Sequence, residues 1–187
     1  MVEFTIFDVP KDNKCFYTAC VIGLIARTED SILQTIVPEK LIRKRVFHNK
    51  PVYSRISIKS PEFIAKCAEL LENRVKNWIN RNRYAIYEQV GLTIDDIIQM
   101  THEISLDEYV HRTLNDDPIW GGFAEQIAIS ALYNVDVHIF NTNVELIQHV
   151  RWMHAHTYNI SSIQLLWEQD LQYGEDHYKA LIPNSSV

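Results

Sequence analysis

Hydrophobic and polar positions divide this chain into elements before any residue is considered for chemistry. A short apolar segment, residues 2–7, leads into a polar, proline-containing turn at residues 8–14. An apolar run over residues 16–26 follows, broken only by Thr18 and Gly23. It predicts a buried helix, with Asp12 as N-cap and Cys15 at the third helical position. Residues 30–83 have a helical pattern. Ile32, Leu33, Ile36 and Val37 fit a short amphipathic helix, and Pro38 can open the next one. Residues 50–59 alternate, as a loop or a short strand would. Ser60-Pro61-Glu62 is a helix start, and apolar residues at 63, 64, 67, 70, 71, 75 and 78 continue it. Beyond Gly91, Thr93 with Asp96 and Ser105 with Glu108 are capping-box pairs for two more helices, the second over residues 106–114. A turn at 115–118 precedes Trp120-Gly121-Gly122 and an apolar helix to about Tyr133. Strands are then expected near 135–140, 144–150, 162–167 and 178–182, with residues 168–175 as a polar loop. No repeat, low-complexity stretch or linker interrupts the pattern, so residues 1–187 read as one domain.

Composition narrows the classes. The 187 residues are 47% hydrophobic, with six Pro and five Gly, which fits a globular domain with a real core. A formal charge of −6 argues against a general nucleic-acid binder and favours a basic partner surface. The cluster Arg43-Lys44-Arg45 reads as a solvated helix face. The longest apolar run, residues 19–26, is too short to span a bilayer, and the first residues lack the basic start of a secretory signal. Cys15, Cys20 and Cys67 form no CxxC and no even framework, so a reducing, cytoplasmic setting and no structural zinc are expected. His149, His154 and His156 have no carboxylate or thiol near them in sequence and read as surface histidines. No metal or cofactor is expected.

The three thiols differ in setting. Cys20 lies five positions after Cys15, about 140° round a helix, and points into the core. Cys67 sits on the apolar stripe of its helix. Cys15 sits at a helix start, where unpaired N–H groups and the helix dipole favour thiolate and can receive an oxyanion. Two roles fit this segment, an activated nucleophile and a buried structural cysteine. His177, entering the last strand, supplies a candidate imidazole partner far away in sequence.

The order of these residues resembles the ovarian tumour (OTU) family of deubiquitinating cysteine proteases. Asp12-Asn13-Lys14-Cys15-Phe16-Tyr17-Thr18-Ala19 looks like the family's nucleophile loop and helix. Tyr109-Val110, then Trp120-Gly121-Gly122 with Glu125, Ala128, Leu132 and the strand to Phe140, looks like its middle block, and His177-Tyr178 like its histidine block. Residues 30–103, approximately, are unmatched. That helical insertion resembles bacterial effectors of the family. The chain departs from the family pattern at three places: Asn13 stands for the usual Gly, Thr18 for the usual Arg, and Lys179 for the usual Asp or Asn two residues after the histidine. Lys179 cannot accept a hydrogen bond from the imidazole.

The resemblance implies an α/β, papain-like fold, a small and mostly antiparallel sheet packed between helices, with a helical lobe after the nucleophile helix. It implies hydrolysis of the isopeptide bond after the Gly-Gly end of ubiquitin. Cys15 would be nucleophile and His177 general base, and Asp8 would orient His177. Backbone N–H groups of Asp12, Asn13 and Lys14 would hold the oxyanion, while Trp120, Gly121 and Gly122 would line a channel for the Gly-Gly tail. The implied partner is ubiquitin or polyubiquitin, bound by a monomer in the cytosol, a host's cytosol for an effector. Two alternatives share the Cys15 block: a catalytically inactive ubiquitin-binding module, and a thiol acyl-transferase or peptidase acting on another substrate.

Overall fold

The computed structural model describes residues 4–27, 46–47, 50–51, 60–114, 119–152, 161–170 and 175–184. In chain order these form β1 (Phe4–Phe7), α1 (Cys15–Arg27), the short strands β2 (Val46–Phe47) and β3 (Lys50–Pro51), and α2 (Pro61–Arg81). Next come β4 (Ile86–Tyr87), β5 (Leu92–Thr93), α3 (Ile94–His102), α4 (Leu106–Leu114) and α5 (Phe123–Tyr133). The chain closes with β6 (Asp136–Phe140), β7 (Leu146–Val150), β8 (Ser162–Asp170) and β9 (Glu175–Pro183). The result is the mixed α/β architecture expected, with five helices among the described residues and a five-stranded sheet ordered β1-β9-β8-β6-β7. Among the described strands of this sheet, only the β6–β8 pair is parallel.

Helix α1 is apolar on every side because it has neighbours on every side. It packs on β8 and β9 and, away from the sheet, on α2, so that Phe16, Ala19, Cys20, Val21 and Leu24 are all buried. Gly23 lets α1 approach the sheet, since a Cβ there would lie 3.2 Å from Ile163 Cβ. Helix α2 is amphipathic instead. Its N-cap Ser60 accepts from the Phe63 N–H, Pro61 takes the first helical position, and Ile64, Cys67, Ala68, Leu71, Val75 and Ile79 form the buried stripe. The Thr93–Asp96 capping box closes both ways, with Thr93 N–H donating to Asp96 Oδ2 and Asp96 N–H to Thr93 Oγ1, each at 3.1 Å. Helix α5 stops where Asn134 adopts a left-handed φ of 50°. None of the described helices is long and apolar enough to cross a membrane.

The apolar segment before the turn, which its pattern alone did not assign, is an edge strand of the main sheet, paired with β9 in the register Phe4↔Pro183 to Phe7↔Ala180. Three local expectations are corrected. Residues 168–175 are not all loop. Glu168, Gln169 and Asp170 pair with His177, Asp176 and Glu175, because the hairpin's ladder hydrogen bonds override the low strand propensity of these polar residues. Strand β9 therefore begins at Glu175, and His177 lies inside it. Residues 46–47 and 50–51 pair antiparallel within a stretch read mainly as helical. Finally, α1 begins at Cys15 itself. Thr18 N–H donates to the Lys14 carbonyl at 2.8 Å, which makes Lys14 the N-cap, while Asp12 Oδ1 takes the Lys14 N–H at 2.9 Å one step earlier. The helices expected around 32–45, the Arg43-Lys44-Arg45 cluster and the turn at 115–118 lie outside the described residues.

Candidate active site

Cys15 occupies the first position of α1 and is 1% exposed. The loop before it is folded on itself. Asp12 N–H donates to the Pro10 carbonyl at 3.0 Å, and Cys15 N–H to the Asp12 carbonyl at 3.1 Å. With Lys14 N–H also taken, the backbone N–H of Asn13 is the one donor of residues 12–15 left without an acceptor among the described residues. Desolvation holds the other two thiols protonated. Cys20 is pushed well above its ordinary pKa by desolvation and by the nearby Cys15 sulfur, and Cys67 is pushed up to about 11 by desolvation.

Strand β9 brings His177 to the same end of the molecule. The Phe16 and Tyr178 rings meet edge to face, centroids 5.1 Å apart, so the residue after Cys15 packs on the residue after His177. His177 is buried, and its Nδ1 is covered with no hydrogen-bond partner. Burial holds the imidazole below its usual pKa, with Lys11 and Lys179 acting in the same direction and Glu168 and Asp8 against it. It is therefore mostly neutral near pH 7.

The face of β9 that carries His177 also carries Lys179, two residues on. Because β1 runs beside β9 and ends opposite Ala180, Asp8 emerges next to Lys179, and its Oδ1 accepts from Lys179 Nζ at 2.9 Å. On the other flank Glu168, directly across from His177 in the ladder, accepts from the same ammonium through Oε1 at 3.0 Å. Asp8 is held below the usual carboxylate range by Lys179, and Lys179 is raised by Asp8 and Glu168. Asp8 thus reaches the neighbourhood of His177 but spends its bond on Lys179. Two other oxygen-bearing side chains near this end of the sheet are engaged elsewhere: Asp12 Oδ1 serves Lys14 N–H, and Asn184 Oδ1 accepts from Thr5 Oγ1 at 2.7 Å. Glu168 is the residue that the sequence reading missed. Extending the alternation of Gln164 and Leu166 by one step puts it on the His177 face.

The Trp120-Gly121-Gly122 segment backs helix α1. A Cβ at Gly121 would come within 2.8 Å of Phe16 Cβ and nearer still to its ring, so the missing side chain is what seats Phe16. Trp120 is half-buried against the core. Gly122 N–H donates to Glu125 Oε2 at 2.8 Å. Glu125 is fully buried, accepts from the Tyr109 hydroxyl at 2.7 Å, and lies 3.4 Å from His102 Nε2. Burial alone would raise its pKa, but His102, Tyr109 and the Gly122 N–H outweigh it and keep the carboxylate ionised. A mostly apolar cavity of about 550 Å³ opens on the α2 side of the loop before α1, between Phe7, Pro10, Ile22 and Ile64, and neither Cys15 nor His177 lines it.

Folding supplies a carboxylate to His149 that its sequence neighbours do not. Asp136, His138 and His149 offer three ligand-type atoms within 4.8 Å of one another. Both Asp136 oxygens are bonded by the Arg151 guanidinium, Nε to Oδ1 at 2.7 Å and Nη2 to Oδ2, and His149 Nε2 lies 3.3 Å from Oδ2. That ion pair already neutralises the carboxylate a metal would need. His154 and His156 lie outside the described residues.

No family model matches the chain, and no curated protein does. Solved structures do. The chain is similar to the h/ceOTUB1 complex with ubiquitin aldehyde and UBC13~Ub, at 11% identity and a TM-score of 0.57, over 96% of this chain and 78% of that one. It is similar to the ceOTUB1 complex with the same kinds of partner, at 12% identity and a TM-score of 0.56, over 96% and 81%. The viral OTU domain protease from Taggert virus overlaps 98% of this chain and 81% of its own, at 16% identity and a TM-score of 0.49. The chain has the OTU-domain fold.

Proposed function

We propose that the protein is a deubiquitinase that hydrolyses the isopeptide bond after the C-terminal Gly-Gly of ubiquitin. One observation carries this reading: within an OTU-type fold, Cys15 opens the buried helix that packs on the strand bearing His177, and the Phe16–Tyr178 contact locks the two elements together. In this scheme the neutral imidazole of His177 takes the Cys15 proton, and the sulfur attacks the glycine carbonyl. The tetrahedral intermediate collapses to a thioester as His177 returns the proton to the departing lysine amine, and water completes the cycle.

The oxyanion falls to the loop Asp12, Asn13 and Lys14. Asn13 N–H is ready for it, whereas Asp12 and Lys14 would have to exchange their present acceptors. Cys15 is 1% exposed, so the substrate's tail must displace what covers it to reach the sulfur. Asp8 adds negative charge near His177 by way of Lys179. Trp120 and Gly122 line the approach of the Gly-Gly tail, and Gly121 holds Phe16, and with it Cys15, in place.

The unpartnered His177 Nδ1 favours one alternative, an inactive module that binds ubiquitin without cleaving it. Incubation with di-ubiquitin of each linkage decides between the two. Cleavage by wild type and none by Cys15→Ala is the expected result. Binding without cleavage of any linkage would establish the module, and cleavage by Cys15→Ala would discard the nucleophile.

A further inference from the structure

Lys179 stands where an imidazolium at His177 would be least welcome to it. It shares a strand face with His177, two residues away, and an isolated ammonium there would oppose the proton that a general base must carry. The ammonium is not isolated. It is bridged by Asp8 Oδ1 at 2.9 Å and by Glu168 Oε1 at 3.0 Å. Two carboxylates and one ammonium sum to one negative charge, the charge of the single acid that usually serves a catalytic histidine.

The two carboxylates are not equivalent. Asp8 is 79% exposed, so water screens most of its field, whereas Glu168 is 29% exposed and sits opposite His177 in the β8–β9 ladder. Directly opposed residues hold their Cβ atoms about 5 Å apart, so the Glu168 carboxylate acts on the ring through space while its Oε1 stays on Lys179 and His177 Nδ1 has no hydrogen-bond partner among the described residues. The charged groups around His177 are Asp8 and Lys11 from the loop after β1, Glu168 from β8 and Lys179 from β9, while Cys15 heads the helix packed on β9. Of these, Glu168 exerts the largest attraction on the imidazolium.

We infer that Glu168 is a positioning residue for His177, the leading member of a Glu168–Lys179–Asp8 bridge that together supplies the charge a lone acid would. The inference rests on the hydrolase reading for its purpose, but its first test does not need that activity. In a chain carrying ¹³C-labelled histidine, the His177 signal is identified by its loss in His177→Ala and titrated by NMR in four proteins. The midpoint should fall in Glu168→Gln, fall less in Asp8→Asn, and rise in Lys179→Met, relative to wild type. An unmoved midpoint in Glu168→Gln, a larger fall in Asp8→Asn, or a fall in Lys179→Met would overturn the assignment. Lys179→Met keeps the test decisive if Glu168→Gln does not fold, because it shifts the charge in the opposite direction.

Turnover supplies the second test. Glu168→Gln should lower kcat on di-ubiquitin roughly tenfold with KM unchanged, and Glu168→Asp should recover part of the loss. A raised KM at unchanged kcat would place Glu168 in substrate binding instead and overturn the inference. If no protein cleaves di-ubiquitin but the titration order holds, the hydrolase reading fails and the bridge stands.

Discussion

Gly121→Ala is the substitution for which the structure makes the sharpest demand. The added Cβ would sit 2.8 Å from Phe16 Cβ and closer still to its Cγ and Cδ1, where carbon atoms ordinarily pack at about 3.5–4.0 Å. The ring has nowhere to go. Phe16 is 1% exposed and is wedged edge-on between Tyr17, with centroids at 5.3 Å, and Tyr178 at 5.1 Å. Forcing a methyl group into such a site costs about 1–3 kcal/mol. For a chain of this size that corresponds to a fall of roughly 2–12 °C in Tm. Gly122→Ala is the internal control, because a Cβ there meets nothing nearer than 3.5 Å, and loss of a glycine N-cap should cost less than about 1 kcal/mol. Urea or thermal unfolding of both variants measures the difference. In the double variant Phe16→Leu with Gly121→Ala, the two costs should sum to more than the observed loss, since the smaller side chain makes room for the methyl. A Gly121→Ala protein that unfolds with wild type, or no more easily than Gly122→Ala, would refute the reasoning. Activity should fall with stability here, since Phe16 adjoins Cys15.

Three further outcomes follow from the geometry. His177→Ala should slow di-ubiquitin turnover by orders of magnitude while His149→Ala leaves it nearly unchanged, because His149 sits in the Asp136–Arg151 ion pair; steady-state rates on purified variants check this. Glu125→Ala strands the buried Tyr109 hydroxyl and the Gly122 N–H and should cost about 1–3 kcal/mol in urea unfolding. Because the folded pKa of Glu125 is depressed, its contribution is complete above the ordinary value of 4.5 and is lost as pH falls through the lower folded value, so Glu125→Gln should flatten the acid limb of the stability curve.

What the sequence made legible was whatever a local pattern encodes. The run after the polar turn, the stripe of α2, the Thr93–Asp96 box and the left-handed stop at Asn134 are all written within a few residues of where they act. Pairing across the sheet is not. Nothing local says that residues 4–7 lie beside 180–183, yet that register is what delivers Asp8 to Lys179. Glu168 was hidden for the same reason, since a polar residue at the end of a strand looks like loop until its partner, His177, is known. The start of α1 was misplaced because Asp12 has the chemistry of an N-cap but uses it on Lys14, inside the turn. The Gly121 side of the site was legible as a motif and not as a cause, because the clash that demands glycine comes from Phe16, over a hundred positions earlier. The likeness to bacterial effectors finds no support among the solved structures described above.

The central claim is that Cys15 is a nucleophile presented to the C-terminal tail of ubiquitin. Its most direct test is reaction with ubiquitin carrying a C-terminal electrophile, read by intact mass and peptide mapping. The account predicts a single adduct of wild type with one ubiquitin, mapped to Cys15, and none with Cys15→Ala. An adduct on Cys20 or Cys67, or no adduct from a folded protein that reacts readily with small thiol reagents at Cys15, would contradict it.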